Sequence, residues 1–467
     1  MDGFPFSETI CAVATPIGEA GIGIVKISGP DALTSLRRIF RARTVADAFA
    51  SHRLHLGWIV DPSTDQRLDE VLVSYMKAPR SYTGEDVVEI NCHSGYAILD
   101  RILRLVLAQG VRLAEPGEFT RRAFMNGRLD LSQAEAVVEL IRSRSEQELA
   151  IAGRQLRGEL SETVHAWRRR LLNIEASLEA FLDFPEELEE EEGSSGHDAV
   201  SQELRDRLLP AVRELASRYD EQRVLREGLA LVLAGKPNVG KSSLLNALVG
   251  RDRAIVTPIP GTTRDIIEDT FVIQGICVRV LDTAGVRSGA DTIESCGIER
   301  TLRSVEEADL VIWLIDTSRP LSCDDDLIAA HVIRRPHLVI LNKADLPQVI
   351  GRKDVFDRYP GVEHAVSLSV LRPDDIQQLR ETIRTRFLRD AQLSACPAFI
   401  PNLRQKRALD EAASALERAA RLIANGDFLE LVAAEVRTAR TALETIVGIG
   451  APEDLLDEVF SKFCIGK

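Results

Sequence analysis

The sequence predicts a multidomain fold of the α/β plus α type: a small α+β domain, a helical domain in two separated halves, and an α/β domain inserted between those halves. Three observations predict it. Short β-rich runs broken by turn residues fill the N-terminal part; a proline-free segment, Ser132 to Phe184, carries apolar residues at helical spacing; and from Leu229 short apolar strands alternate with helices to about Phe387. The length of 467 residues suits about three domains, each able to bury a core.

The first strands are expected at Ile22–Ile27, Leu54–Val60, Glu70–Met76 and Val87–Cys92, followed by a helix from Ala97 to Leu107. In the next segment Leu149, Leu156, Leu160, Val164, Trp167, Leu171, Ile174, Leu178 and Phe181 recur at steps of three, four or seven, and Ser132 with Glu135 reads as a capping box. Pro185 stops the pattern, and the acidic stretch Glu186 to His197 reads as a solvated loop. A second helix is expected from Val200 to Arg226, ended by Gly228; beyond Pro397 and Pro401 helices are expected at Arg404–Ala424, at Leu429–Val447 and from Pro452 onward. Neither helical half has a partner of its own, so the two should pack together. The expected division is 1–128, 129–227, 228–388 and 389–467.

With 58 Lys and Arg against 72 Asp and Glu, the net charge is -14, which disfavours sequence-independent coating of nucleic acid. Seven cysteines, odd in number and without a CxxC pair, suggest neither a disulfide framework nor a zinc site, and fit a reducing cytoplasm. The amino terminus lacks a signal-peptide pattern and no stretch reaches the roughly 18 apolar residues of a membrane span, so a soluble, unprocessed chain is expected.

The most informative chemistry follows the apolar run Leu229–Ala234. Gly235-Lys236-Pro237-Asn238-Val239-Gly240-Lys241-Ser242 is G-x-x-x-x-G-K-S between a strand and a helix, the context this phosphate-binding loop requires. Its glycines let backbone N–H groups wrap a phosphate at a helix N-terminus. Lys241 is expected to reach the β and γ phosphates and the Ser242 hydroxyl to ligate Mg²⁺, with Val239, Gly240 and Ser243 completing the cradle. Asp282-Thr283-Ala284-Gly285 at the end of a strand, Val278–Leu281, places a carboxylate near the metal and a glycine N–H near the γ-phosphate. Asn342-Lys343-Ala344-Asp345 ends a strand, Leu338–Leu341, and Asp345 can accept from the two donors of guanine, a pair that adenine lacks. The expected nucleotide is therefore GTP, and the expected domain a Ras-like P-loop G domain. Gly261-Thr262-Thr263-Arg264-Asp265 supplies a switch-type loop with Thr263 as the second Mg²⁺ ligand.

Val286 stands after Gly285, where many GTPases of this class carry a water-orienting Gln, so hydrolysis needs another arrangement. Glu294 can position water or can be a solvent-facing helical residue. Asn238 can be a turn residue or can offer its side-chain carbonyl to a monovalent cation, which would neutralise charge where other GTPases insert an arginine.

Taken with Ala14-Thr15-Pro16, Gly21–Gly29, Ser81-Tyr82-Thr83-Gly84-Glu85-Asp86, Pro116-Gly117-Glu118-Phe119-Thr120, Ala123–Asp130 and the terminal Phe463-Cys464-Ile465-Gly466-Lys467, these motifs resemble the MnmE (TrmE) family of tRNA modification GTPases over essentially the whole chain. The resemblance implies an N-terminal domain that binds a tetrahydrofolate derivative (a 5-formyl or methylene form) and dimerises, a discontinuous helical domain, and an inserted G domain. It implies a potassium-stimulated GTPase acting as a homodimer with an FAD-containing partner, MnmG, in a heterotetramer that adds an aminomethyl or carboxymethylaminomethyl group at C5 of a wobble uridine, the tRNA being held mainly by the partner. By the same resemblance Asn238, Thr262 and the carbonyls of Thr257 and Ile259 match K⁺ ligands, Ser242 and Thr263 match Mg²⁺ ligands, and Glu294 matches the water-orienting glutamate. Folate contacts fall on Lys26, Glu85, Arg128 and Lys467, with Cys464 either taking part in one-carbon chemistry or serving as a small buried hydrophobe.

Lys26 stands where the family often has arginine and Arg128 where it often has lysine. Leu368, in Val366-Ser367-Leu368-Ser369, departs from the family's guanine-edge loop. Arg168-Arg169-Arg170 reads as a solvated helix face rather than a tRNA site, and the terminal Cys464-Ile465-Gly466-Lys467 does not suit prenylation. The competing readings are a ribosome-assembly GTPase, disfavoured by the lack of a basic appendage, and a folate-binding scaffold with an idle G domain, disfavoured by Lys241, Asp282 and Asp345.

Overall fold

The computed structural model describes residues 8–43, 49–183, 194–250, 269–273, 275–281, 304–388 and 399–467. Its N-terminal sheet comprises β1 (Ile10–Val13), β2 (Gly23–Ser28), β3 (Phe40–Ala42), β4 (Leu54–Val60), β5 (Arg67–Met76), β6 (Val87–Cys92) and β7 (Arg112–Leu113), in the order β3-β4-β5-β6-β2-β1-β7. Every neighbouring pair is antiparallel except β1 with β7. Period-two alternation turns Val71, Val73, Val88 and Ile90 to one face, where α1 (Ala32–Ile39) and α2 (Tyr96–Leu107) close an apolar core over them. A short helix, α3 (Glu118–Met125), leads out of this domain.

The segment from Ser132 forms three helices: α4 (Leu131–Arg142), α5 (Glu146–Leu156) and α6 (Glu159–Asp183). Ser145 caps α5 by accepting the Glu148 amide at 3.2 Å, and Gly158, at φ 88°, separates α5 from α6. The expected Ser132–Glu135 capping box is corrected. Asp130 is the cap, accepting the Gln133 amide at 2.9 Å while Gln133 Oε1 accepts the Asp130 amide at 3.0 Å. Ser132 lies inside the helix and Glu135 is taken by Arg404, at 2.6 and 2.9 Å.

A helix from Ser194 to Gln202, α7, takes up the end of the stretch expected as a loop, whose residues 186–193 lie outside the described residues. It runs through a π turn, Glu203–Leu208, into α8 (Leu209–Glu227); Pro210 has no N–H to give back to the preceding turn. The return segment supplies α13 (Leu403–Asn425), α14 (Leu429–Val447) and α15 (Glu453–Ser461), the labels α9 to α12 belonging to helices of the inserted domain. Leu160, Val164, Leu171, Leu204 and Val212 from the first half share one core with Leu409, Leu416, Val436 and Leu443 from the second.

Between them lie β8 (Leu229–Ala234), α9 (Lys241–Val249), β9 (Asp269–Ile273), β10 (Ile276–Val280), β11 (Leu310–Asp316), α10 (Cys323–Val332), β12 (His337–Asn342), α11 (Arg352–Arg358), β13 (Ala365–Ser367) and α12 (Pro373–Phe387). The sheet order is β13-β12-β11-β8-β10-β9, parallel except for β9 with β10. The strand order reverses at β8, which leaves a crevice at the carboxyl ends of the central strands, the usual place for a ligand in such sheets.

Candidate functional site

All six residues of β8 are buried, and the phosphate loop begins where the strand ends. Gly235 has φ 143°, and a Cβ there would lie 2.5 Å from the Leu314 carbonyl oxygen on β11. Gly240 has φ 103° and backs directly onto the Asn342 side-chain nitrogen, so neither position admits a side chain. Lys241 opens α9 and donates from Nζ to the carbonyls of Gly235 and Lys236, at 2.7 and 2.8 Å. Burial pushes this amine down from its ordinary range. An ammonium enclosed by a glycine loop at a helix N-terminus suits a polyphosphate.

At the neighbouring strand end, Asn342 Nδ2 donates to the Val239 carbonyl at 2.7 Å and Oδ1 accepts the Val370 amide at 3.3 Å, which ties the guanine motif to the phosphate loop. Lys343 has φ 62°, and its Nζ lies 2.7 Å from Asp316 Oδ2. Asp345 is exposed, and its hydrogen bond with Ser369 holds the carboxyl below the usual carboxylate range. Leu368 turns its side chain into the core, while its carbonyl accepts the Ala344 amide at 3.2 Å. The departure from the family pattern there is therefore absorbed by packing.

Asn238 lies on the loop at φ 62°, a conformation asparagine tolerates. Ser242 stands in the first turn of α9. Thr257, Ile259, Thr262, Thr263, Asp282, Thr283, Ala284, Gly285, Val286 and Glu294 lie outside the described residues.

A second polar site gathers around β2. Lys26, 8% exposed, has Nζ 3.7 Å from Glu89 Oε1 and 5.5 Å from the ring centroids of both Tyr82 and Phe119. Burial pushes its amine down, Glu89 opposes that, and the nearby Lys467 adds to it. Ser28, two residues along the same face of β2, donates to Glu85 Oε2 at 2.7 Å. Glu85 also accepts from Arg122 Nη1 at 3.1 Å, and Arg128 Nε donates to the Ser81 carbonyl at 3.1 Å. The C-terminus is locked into this region. A Cβ on Gly466 would lie 2.7 Å from the Val13 carbonyl, one on Gly117 would lie 2.5 Å from the Phe460 carbonyl, and the half-buried Cys464 accepts the Lys467 amide at 3.3 Å. Two cations, two rings and a held carboxylate are a donor set that suits a pterin with an anionic tail.

Sequence reasoning missed Arg122, whose side chain has no exposure and which holds Glu85 and Glu118 together; nothing in its spacing separates it from Arg121, which pairs with Asp457 at 2.8 Å. It also missed Lys236, Asp316 and Asp325. Arg169 and Arg170 are exposed, as expected of a solvated helix face, while Arg168 pairs with Glu444 at 2.6 Å and joins α6 to α14. Among the described residues no helix is long and apolar enough to cross a membrane.

Residues 9–128 match the family model of the GTP-binding protein TrmE N-terminus, and residues 131–464 match that of the MnmE helical domain. A protein of Syntrophobacter fumaroxidans named tRNA modification GTPase MnmE is 54% identical over 462 residues, covering 98% of both chains. Proteins of the same name from Carboxydothermus hydrogenoformans and Geobacter sulfurreducens are each 44% identical, with 98% of this chain and 99% of theirs covered.

Proposed function

The chain belongs to the MnmE family of tRNA modification GTPases, and from that premise we propose that it couples GTP hydrolysis to the addition of an aminomethyl or carboxymethylaminomethyl group at C5 of the wobble uridine of certain tRNAs. It does so as a cytoplasmic homodimer joined to the FAD-containing MnmG, which carries most of the tRNA contact. Residues 1–128 form the folate-binding and dimerising unit in this reading.

Asn238–Ser243 cradle the phosphates, Lys241 holds the β and γ oxygens, and Asn342, Lys343 and Asp345 take the guanine. Ser242 and Thr263 would hold Mg²⁺ with the Asp282 carboxylate beside it, and Asn238, Thr262 and the carbonyls of Thr257 and Ile259 would hold K⁺; when bound, the ions would supply positive charge against the phosphates. Thr283, Ala284 and Gly285 border the γ-phosphate, and Glu294 orients the attacking water. Lys26, Lys467, Glu85 and Arg128 orient a tetrahydrofolate derivative, which supplies a one-carbon unit when bound. The observation that most supports the reading is that Gly466 packs against the Val13 carbonyl of β1, which brings the last residues, Cys464 and Lys467 among them, to the strand pair that carries Lys26.

The test is mass spectrometry of nucleosides from bulk tRNA of a deletion strain. C5-aminomethyl-type uridines should vanish and should return with the intact gene but not with Asp282→Ala. An unchanged profile in a strain with no second gene copy would overturn the proposal.

A further inference from the structure

The loop that joins β11 to α10, taken with the acids that bound it at the end of β11 and in the first turn of α10, touches both halves of the nucleotide site without belonging to either motif. At its far end Asp325, with no exposed side-chain surface, lies 2.6 Å from Lys236 Nζ, and Lys236 also donates to Ser322 Oγ at 3.0 Å. Asp325 Oδ2 accepts the Ser322 amide at 2.9 Å as well, closing a capping box that fixes its own position. Lys236 is a phosphate-loop residue, and its backbone carbonyl is one of the two that hold the Lys241 ammonium. At the near end Asp316, 5% exposed, receives Lys343 Nζ at 2.7 Å and both the amide and the hydroxyl of Ser318, at 3.0 and 2.6 Å. The amide and hydroxyl of Thr317 both donate to the Asn342 carbonyl, at 3.1 and 2.9 Å.

We propose that this loop is a two-armed brace in which Asp325, acting through Lys236, positions Lys241 at the phosphates, and Asp316, acting through Lys343, positions the guanine end. Each arm ends on a lysine whose backbone is engaged: the Lys236 carbonyl accepts from Lys241 Nζ, and Lys343 takes a left-handed φ. A removed acid leaves a partly buried cation unpaired, and the lysine and its loop must shift to find solvent. A shift of the phosphate loop moves the Lys241 ammonium away from the charge it must meet in the transition state, where displacement of about 1 Å can cost about a hundredfold. A shift of the Lys343 side chain loosens recognition of the base first, because the tie to the phosphate loop runs through Asn342. Asp316 and Asp325 are therefore positioning residues with separable effects.

The experiment measures kcat and KM of GTP hydrolysis by the full-length protein in KCl and MgCl₂, with thermal midpoints recorded alongside. Asp325→Asn and Lys236→Met should each lower kcat at least about tenfold with KM within about threefold. The double variant should lose no more than the worse single one, because both act on one contact. Asp316→Asn should raise KM at least about tenfold with kcat within about threefold. Asp326→Asn, whose carboxylate pairs with Arg358 on the surface, serves as the control and should stay within about twofold of the parent. If Asp325→Asn and Asp316→Asn move kcat and KM in the same proportion and in step with the thermal midpoint, the loop is only structural and the brace is overturned. Should Asp325→Asn fail to fold, Lys236→Met decides the phosphate arm, and an unchanged kcat there refutes it.

Discussion

Arg226, in the last turn before the chain enters the six-stranded sheet, donates to the carbonyl of Ile400, where the chain comes back out. The same guanidinium, 5% exposed, reaches Glu139 on α4 and Gln155 Oε1 on α5, the latter at 2.9 Å. One side chain thus ties the outgoing helix, the returning segment and the first helical half at the neck of the insertion. Arg226→Met should cost about 3–5 kcal/mol, because it strands a carboxylate and two acceptors. Urea unfolding followed by circular dichroism measures this, and Arg226→Lys should recover only part of it, since an ammonium lacks the guanidinium's planar fork.

Among the described residues Lys241 bonds only to carbonyls of its own loop, so Lys241→Ala should leave the fold intact. Phosphate release should fall by about a hundredfold or more, while the far-ultraviolet spectrum remains that of the parent.

Potassium dependence tests the reading of Asn238. Hydrolysis should run faster in KCl than in equimolar NaCl, and Asn238→Ala should erase most of that difference. Equal rates in both salts for the parent protein would remove the potassium site from the mechanism.

Burial pushes the Asp316 carboxyl up, but hydrogen bonds from Lys343 and Ser318 outweigh it and hold the group below the ordinary carboxylate range. A lowered folded value means that its stabilisation is present above the unfolded value, about pH 4, and disappears as pH falls through the folded one. Thermal midpoints measured from pH 6 down to pH 3 should therefore drop less steeply for Asp316→Asn than for the parent.

At Gly117, φ is 72° and the Phe460 carbonyl stands where a methyl would go. Gly117→Ala should push α15 and the C-terminal residues away from β2, abolishing folate binding in calorimetry while GTP hydrolysis stays within about twofold of the parent.

The phosphate loop is legible in the sequence because a backbone cradle needs glycines at fixed spacing in any protein that uses it. The shared helical core is legible because neither half can bury its stripe alone. Helix boundaries are less so: Asp130 and Ser132 are both good caps, and only tertiary contacts, Ser132 buried against Ser161 at 3.1 Å and Glu135 drawn to Arg404, show which one starts α4. The brace is invisible for a similar reason. Asp325 sits in the run Asp324-Asp325-Asp326, and only its register on α10 turns it inward to Lys236 while Asp326 faces Arg358. Arg122 and Arg121 differ in the same way.

The shared helical core has a consequence for synthesis. Its first-half residues end near Ala216 and its second-half residues begin near Phe399, so about 180 residues must leave the ribosome between them; at roughly 5–20 residues per second this takes about 10–40 s. Throughout that interval the apolar stripe of α6 and α8 has nothing to bury against, and by its end the inserted domain has its whole sequence and can fold. The nascent chain should therefore carry a finished nucleotide-binding domain on an open helical cradle, a stage at which holdase chaperones would capture it.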